Sequence, residues 1–331
     1  MRNIIHIVHW EMSGIYGVAK TLQERGKEVG DNHQIITLRK NKNFSDKVQF
    51  LFRFVYSLFV IIISKKDIIH SHSFLPFLLA LFAKKDSTVF TFHNAYPFLK
   101  GTDFKSRLKC RMLKLIIKFK KPKITGVGKL VCEYIKLGVG VEAKAIPNGI
   151  DINQFVFTLP HKKIETLGSV GRLDLQKNYS TLVEAFSMID LNLEIAGEGV
   201  QREKIESIIT EFGISNVILK GFQKDVIEFQ REVDGFVCSS LYEGFSLALI
   251  ESILLGKPVI STNVGVAYDF PELDFPRLGY DVASMRKGIK EWILLSLEDL
   301  QEKAIKNRKL AEHLFNITHI YEVYKTEVWQ C

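Results

Sequence analysis

The sequence predicts an α/β protein built of two doubly wound domains, and three observations predict it. The chain has 331 residues, about twice the ~150 of a typical domain. Short β-branched runs alternate with longer helical patterns from end to end, the pattern of parallel sheets covered on both faces. The charge is divided. Residues 1–150 hold 26 Lys/Arg against 10 Asp/Glu, a balance of +16, and residues 151–331 hold 19 against 27, a balance of −8. With 47% apolar and 25% charged residues, the chain can bury two cores. Disorder, collagen and coiled coil are excluded.

In the first half, strands are predicted over 4–8, 34–38, 68–71, 88–92, 124–127 and 143–146. In the second they are predicted over 165–170, 193–196, 217–220, 235–238 and 258–261. These runs are short and mostly rich in Val, Ile, Thr or Phe, as strands buried on both faces are. Helices fit between most neighbours. Pro147-Asn148-Gly149 is turn chemistry and closes the first half. The expected domains are therefore 1–150 and 164–314, joined by a linker over 151–163. A C-terminal helix over about 315–331 is expected to pack back on the first domain. No run of 18 apolar residues occurs, so no helix is expected to span a bilayer; the nearest approach, 50–64, carries Arg53. Only Arg2 precedes the first apolar run and no small-residue cleavage site follows, so that run reads as a strand rather than a secretion signal. Cys110, Cys132, Cys238 and Cys331 are scattered without a CxxC pair. They point to a reducing compartment and away from a disulfide framework or zinc site.

Ligands of doubly wound sheets bind beyond the carboxyl ends of the strands, so the residues that follow each strand matter most. The 165–170 strand runs into Gly171-Arg172-Leu173-Asp174-Leu175-Gln176-Lys177-Asn178. Arg172 offers a planar fork and Lys177 a point charge, which together suit a diphosphate. They suit a solvated loop equally well. The 193–196 strand ends in Gly197-Glu198-Gly199, either a plain tight turn or a place where a ligand nears the backbone. The 235–238 strand leads to Glu243-Gly244-Phe245-Ser246-Leu247 and a helix that contains Glu251. Free amides of Phe245, Ser246 and Leu247 at a helix start would bind phosphate. Two carboxylates beside an anion are awkward unless each holds hydroxyls, as a ribose and a sugar provide. The apolar neighbours Phe245, Leu247, Leu249 and Ile250 argue against Glu251 as an ordinary surface acid.

Taken in order, Gly171-Arg172-Leu173…Lys177-Asn178, Gly197-Glu198-Gly199 and Glu243-Gly244-Phe245-Ser246-Leu247…Glu251 resemble the donor-site signature of the retaining glycosyltransferases of family 4, which have the GT-B fold. The second acid lies eight residues after the first, as in that family's paired-glutamate motif. The resemblance covers the C-terminal half nearly throughout and the N-terminal half more loosely. It implies that Arg172 and Lys177 bind the donor diphosphate and that Glu251 holds the ribose. Glu243 would hold a hydroxyl of the donor sugar, and the amides of Phe245, Ser246 and Leu247 the distal phosphate. Gly171 belongs to the same donor loop, and Gly197 and Gln223 would border the base. Where the family usually has a double glycine after the first strand, this chain has Ser13-Gly14, and Gly14 would meet the donor phosphates. His93, in Phe92-His93-Asn94, stands where the family often has a histidine near the reacting sugar. It would position donor or acceptor, or stabilise developing charge. His70 and His72 fit a structural role, with His72 able to reach the acceptor. Gly126-Val127-Gly128-Lys129 lacks the third glycine of a dinucleotide fingerprint and reads as a strand end before a helix.

Residues 104–123 hold Leu108, Met112, Leu115 and Phe119 in one apolar stripe widened by Ile116, with Arg107, Arg111, Lys114, Lys118 and Lys121 to one side. A basic amphipathic helix reads as a membrane-surface element, although a helix whose stripe faces its own sheet has the same pattern. Residues 50–64, with flanking Lys47, Lys65 and Lys66, supply a second patch. The expectation is a hexosyl- or N-acetylhexosaminyltransferase that uses a nucleotide-diphosphate sugar, UDP by family frequency. Its acceptor would be a glycan or lipid-linked glycan in bacterial cell-surface polysaccharide or lipopolysaccharide synthesis. It would need no cofactor and no metal, since no clustered His/Asp/Cys ligand set is evident. It would work in the cytoplasm, peripheral to the inner face of the cytoplasmic membrane on an anionic surface. The alternatives are a GT-B sugar-nucleotide epimerase or a basic module for membrane or nucleic acid. No helix-turn-helix or RNA-stacking motif is present, so nucleic acid is not expected as a partner.

Overall fold

Two six-stranded, all-parallel sheets carry the fold of the computed structural model. The structure describes residues 1–11, 13–39, 46–64, 68–79, 82–83, 88–94 and 104–330, without the side chains of 46–48 and 104–106. Lys65, Lys66, Cys331 and the Lys47 side chain lie outside the described residues. The chain divides into two units, Met1–Asp151 with Phe315–Cys331, and Ile152–Leu314.

The first unit contains β1 (Asn3–Trp10), α1 (Gly14–Glu28), β2 (Asn32–Arg39), α2 (Asp46–Ile63), β3 (Ile68–Ser71), α3 (Phe74–Leu79) and β4 (Thr88–Phe92). It continues with α4 (Phe104–Lys120), β5 (Lys123–Gly126), α5 (Lys129–Val139) and β6 (Lys144–Ala145). The strand order is β2-β1-β3-β4-β5-β6, so the winding reverses between β1 and β3. Alternation along the strands gives the sheet two unlike faces. Ile5, Ile7, Ile36, Leu38 and Ile69 form a dry core with Val60 and Ile61 of α2 and Leu79 of α3. The opposite face carries histidines, because the register sets His33 beside Ile4 and His70 beside His6.

The second unit contains β7 (Thr166–Val170), α6 (Tyr179–Phe186), β8 (Asn192–Ala196), α7 (Arg202–Glu211), β9 (Val217–Gly221), α8 (Val226–Glu232) and β10 (Gly235–Cys238). Then come α9 (Leu247–Leu254), β11 (Val259–Thr262), α10 (Val266–Asp269), β12 (Arg277–Leu278), α11 (Val282–Trp292) and α12 (Leu297–Phe315). The order β12-β11-β10-β7-β8-β9 reverses between β7 and β10. Leu167, Leu193, Ile195, Val237 and Ile260 of the strands pack against Leu182, Val183 and Phe186 of α6 and Met285, Ile289 and Trp292 of α11. Of the stretch 151–163, read from sequence as a linker, all but Asp151 belongs to this unit. Phe155 is buried and the Thr158 amide donates to Leu255 O at 3.1 Å, so an apolar anchor ties the stretch down.

Residues 315–331 belong to the first unit. The Ile150 amide donates to Phe315 O at 2.7 Å, and the Ile317 amide donates to Ile150 O at 3.0 Å. Helix α13 (Ile317–Val323) and a wide helical turn (Tyr324–Val328) then set Tyr321, Tyr324 and Trp329 against the histidine face.

Candidate functional site

The reversal between β7 and β10 opens a crevice at the strand ends, and the residues that follow both strands meet there. Asp174 accepts from the Lys177 amide at 3.3 Å and starts a single helical turn, Leu175–Lys177. That turn is fastened to the loop after β10. Gln176 Nε2 donates to Tyr242 O at 3.0 Å, the Leu241 amide to Gln176 O at 2.8 Å, and Ser239 Oγ to Lys177 O at 2.7 Å. Lys177 Nζ is thereby set 2.6 Å from Glu243 Oε1, and Ser240 Oγ donates to the same oxygen at 2.8 Å. Only 21% of the lysine side chain and 10% of the glutamate side chain are exposed. Burial works against the lysine's charge, but the Glu243 carboxylate outweighs it and holds the ammonium above its ordinary pKa.

The glycines of this region answer first to packing. A Cβ on Gly197, whose φ is +151°, would lie 1.9 Å from Gly171 O, and one on Gly171 would lie 2.6 Å from Lys177 Cε. Ser246 precedes α9 in the left-handed region at φ 71° and makes no side-chain cap. Its Oγ is buried without a partner. A non-glycine residue in this conformation costs on the order of 1 kcal/mol, and the amides of the first turn stay without a side-chain acceptor. Phe245 is buried beneath this turn's start and Leu247 is its first residue. Glu251, about one turn into α9, is half-buried, and burial pushes its carboxyl up to about 7. The two acids therefore differ: a lysine neutralises Glu243, whereas the Glu251 site favours the protonated form. Arg172 stands apart from this pair, 72% exposed and 3.2 Å from Asp174. Gln223, just beyond β9, donates to Lys220 O at 2.9 Å.

In the first unit, Gly14 is the exposed first residue of α1. Ser13 fills the place before it because its Oγ accepts from the Tyr16 amide at 3.2 Å and caps the helix. His93 follows β4 and is half-buried. His93 Nε2 lies 3.1 Å from His72 Nδ1, His72 Nε2 lies 2.9 Å from His6 Nδ1, and His6 Nε2 lies 2.9 Å from His33 Nδ1. His33 Nε2 is 2.8 Å from the Tyr321 hydroxyl, which donates to Asp31 Oδ2 at 3.0 Å. Burial drives all of these histidines towards the neutral form, His33 to about 4 and His93 to about 3. His70 is also buried and depressed, with Nε2 2.7 Å from Thr91 Oγ1 and Nδ1 unpartnered. Sequence reasoning saw no clustered ligand set, and here it is corrected: atoms of His6, His70 and His72 lie within 4.8 Å of one another. The pairing of β1 with β3 brings them together, although His6 and His72 are 66 residues apart. Both ring nitrogens of His6 and of His72 are already in hydrogen bonds, so the arrangement is a chain of rings rather than a ligand set.

The basic helix α4 exposes most of the apolar stripe read from the sequence, whereas Ile116, read as widening that stripe, is buried. Its buried arc is Leu113, Ile116 and Ile117, whereas Leu108, Leu115 and Phe119 of the predicted stripe are exposed beside Arg107, Arg111, Lys114 and Lys118. Lys121 follows the helix and is exposed as well. A helix with more apolar residues than one arc needs leaves the surplus outside. Helix α2 does so more strongly: Leu51, Phe52, Val55, Tyr56, Phe59, Ile62 and Ile63 are each more than half exposed along one stripe. Beside it lies a cavity of about 480 Å³ lined by Glu11, Tyr16, Thr37, Phe52, Arg53 and Tyr56. No helix among the described residues is long and apolar enough to cross a membrane.

Two family models tile the chain: Glycosyltransferase Family 4 matches residues 5–154, and Glycosyl transferases group 1 matches residues 151–310. The chain belongs to glycosyltransferase family 4. It is 33% identical over 147 residues, 42% of its length, to the N-acetylgalactosamine-N,N'-diacetylbacillosaminyl-diphospho-undecaprenol 4-alpha-N-acetylgalactosaminyltransferase of Campylobacter jejuni. It is 27% identical over 306 residues to an uncharacterized 41.2 kDa protein of the Klebsiella pneumoniae cps region, covering 79% of this chain and 81% of that one. The match spans only 40% of the Campylobacter protein and 56% of an uncharacterized Methanocaldococcus jannaschii glycosyltransferase. Anabaena HepE in complex with UDP and glucose superposes with a TM-score of 0.79 at 17% identity over 98% of both chains. That likeness establishes the GT-B fold.

The sequence did not single out His6 and His33. Their signal was a histidine inside an otherwise β-branched run, as in Ile5-His6-Ile7, which gives the strand one polar position on a buried face.

Proposed function

We propose that the protein transfers a hexosyl or N-acetylhexosaminyl group from a UDP-sugar to a glycan or lipid-linked glycan, with retention of configuration. The setting would be the synthesis of a bacterial cell-surface polysaccharide or lipopolysaccharide. The Lys177–Glu243 pair at the β7/β10 reversal, beside the uncapped start of α9, carries this reading. In it, Lys177, Arg172 and the amides of Phe245, Ser246 and Leu247 neutralise the diphosphate as it leaves, which is electrostatic catalysis by preorganised groups. Front-side attack needs no protein nucleophile, and the leaving phosphate takes the acceptor's proton. Glu243 holds a hydroxyl of the donor sugar, Glu251 the ribose, and Gly197 and Gln223 border the base. Gly14 and His93 are the first unit's contributions to substrate binding. No metal or cofactor takes part.

The acceptor reading draws on the Campylobacter relative, whose name specifies an undecaprenol-linked substrate, and on a Rhizobium meliloti lipopolysaccharide core glycosyltransferase that is 35% identical over 97 residues. It also draws on the outer stripe of α2 and the cations of α4. A continuous exposed apolar face marks an interaction surface, and each cation near an anionic leaflet gains about 1 kcal/mol. The protein would then sit on the inner face of the cytoplasmic membrane.

Incubation with a panel of nucleotide sugars, read by thermal stabilisation, slow donor hydrolysis and NMR of the transferred anomeric centre, tests this. Stabilisation by UDP and a retained anomer are expected, and EDTA should leave transfer intact. An inverted product, or a free sugar isomer formed without acceptor, would refute it. Anionic vesicles should bind the protein at low salt and release it after Lys114, Lys118 and Lys121 are changed to Glu. Indifference to vesicles would refute the membrane part alone.

A further inference from the structure

The buried rings of the first unit form a chain whose direction is determined at one end. Asp31 Oδ1 accepts from the Arg2 amide at 2.8 Å, and Arg2 Nη1 lies 3.6 Å from Oδ2. These partners hold the acid below its ordinary pKa even against burial, so it is a carboxylate and can only accept. The single hydroxyl proton of Tyr321 therefore goes to Asp31, and the Tyr321 oxygen must accept from His33 Nε2–H. A neutral imidazole carries one proton, which leaves His33 Nδ1 bare, to accept from His6 Nε2–H. His6 Nδ1 is then bare and accepts from His72 Nε2–H. His72 Nδ1 in turn accepts from His93 Nε2–H. Each step is forced by the one before it. The chain ends at His93 Nδ1, which carries a lone pair and no proton.

We propose that Asp31, Tyr321, His33, His6 and His72 are positioning residues that fix His93 as the neutral Nε2–H tautomer, so that Nδ1 accepts a hydrogen bond from a hydroxyl of the sugar substrate. The identity of that hydroxyl's owner rests on the glycosyltransferase reading above; the tautomer does not. In this state His93 is neither a cation for the diphosphate nor a proton donor. Its role is orientation, because an acceptor of set direction selects sugars that present a hydroxyl to it. The other groups that face the chain reinforce neutrality. His70 lies beside His6 and His72, and the rings of Tyr324 and Trp329 cover the cluster from the C-terminal segment without adding charge. The charged groups in view are Asp31 and Arg2, with the N-terminal ammonium and Glu322 acting on the Asp31–Tyr321 pair, at the far end from His93.

The direction can be reversed by one atom. In Asp31→Asn the side-chain oxygen keeps the Arg2 amide and the NH₂ group turns to Tyr321. Tyr321 must then donate to His33, and every ring downstream changes to Nδ1–H. Long-range ¹H–¹⁵N correlation spectra of histidine-labelled protein at pH 7 distinguish the two tautomers directly. The wild type should show His6, His33, His72 and His93 as Nε2–H, and Asp31→Asn should show Nδ1–H. Turnover in Asp31→Asn should fall about 10-fold or more, the scale on which orienting partners act, with UDP affinity unchanged. Tyr321→Phe serves if the first variant folds poorly; it should give mixed tautomers and the same split between turnover and UDP binding. His93→Asn, which keeps an acceptor near the Nδ1 position, should retain more activity than His93→Leu. Imidazolium or mixed tautomers in the wild type would overturn the proposal, as would stoichiometric metal on His6, His70 and His72 in the purified protein. A tautomer change without loss of turnover would also overturn it. Failure of the wild type to bind any nucleotide sugar would refute the donor reading instead, while the spectra still decide the tautomer.

Discussion

In the second unit the polar groups at the strand ends are charged and paired across 66 residues of sequence, Lys177 with Glu243. In the first unit the buried polar groups are a row of neutral rings, Tyr321, His33, His6, His72 and His93, chained to the Asp31 carboxylate. Both arrangements satisfy buried polar atoms at a doubly wound switch point, but they respond differently to a ligand. An ion pair can be redistributed: on the proposed donor reading, an arriving diphosphate would compete with Glu243 for the lysine. A neutral chain has no charge to give up and instead transmits a direction. The comparison teaches that one fold can keep its electrostatics on one sheet and its orientation on the other.

The largest expected effect breaks the charged side. Lys177→Ala should lower turnover by about 100-fold or more, and wild-type turnover would remove the diphosphate contact. The variant should also melt early, because Glu243 is left unpaired where only 10% of its side chain is exposed. Adding Glu243→Gln to Lys177→Met should restore the melting temperature and not the activity. A double variant no more stable than Lys177→Met would show that the pair is not the cause.

Next in size is acid. Unfolded histidines titrate near 6.5, whereas His33 and His93 are depressed to about 4 and about 3 and His6, His70 and His72 lie well below 6.5. Below pH 6.5 the unfolded chain therefore binds more protons than the folded one. The contribution is fully present above that pH and is lost as the pH falls, by up to about 1.4 kcal/mol per pH unit for each histidine. Hydrogen exchange between pH 7 and 4.5 should show β1, β2 and β3 losing protection before β7 and β10. Simultaneous loss in both sheets would contradict the assignment.

The smallest effect concerns Glu251, whose folded pKa of about 7 exceeds its unfolded value. The folded state binds more protons between those values, so stability is highest below the unfolded pKa and falls as the pH rises through 7. Glu251→Gln should raise the melting temperature by roughly 2–6 °C at pH 8 and change little at pH 5. An equal shift at both values would mean that packing, not ionisation, is responsible.

All eleven strands read from the sequence form, because each is a contiguous run whose pattern depends on its own residues. The two-residue β12 was too short to leave a pattern, and the 143–146 run contracts to Lys144–Ala145. The residues of the β7/β10 crevice were legible for the same local reason, since they follow strands directly. What was not legible came from distance or rotation. Nothing in the spacing says that Lys177 meets Glu243, and Tyr321 lies 288 residues from His33. The arc of α4 that faces the sheet could not be chosen from a helix with several apolar stripes: Leu113 and Ile117 left no distinct signal, and Ile116, which reads with the outer stripe, is buried.

The return of residues 315–331 to the first unit bears on how the protein is made. Strands β1 to β6 leave the ribosome early, yet the surface that covers their histidine face arrives only with Tyr321, Tyr324 and Trp329. At about 5–20 residues per second, roughly 10–40 seconds pass between the end of β6 and the emergence of that cover. The second unit, contained within 152–314, is itself synthesised during that interval. The nascent first unit waits with its rings open to water, able to take up protons that the mature protein excludes.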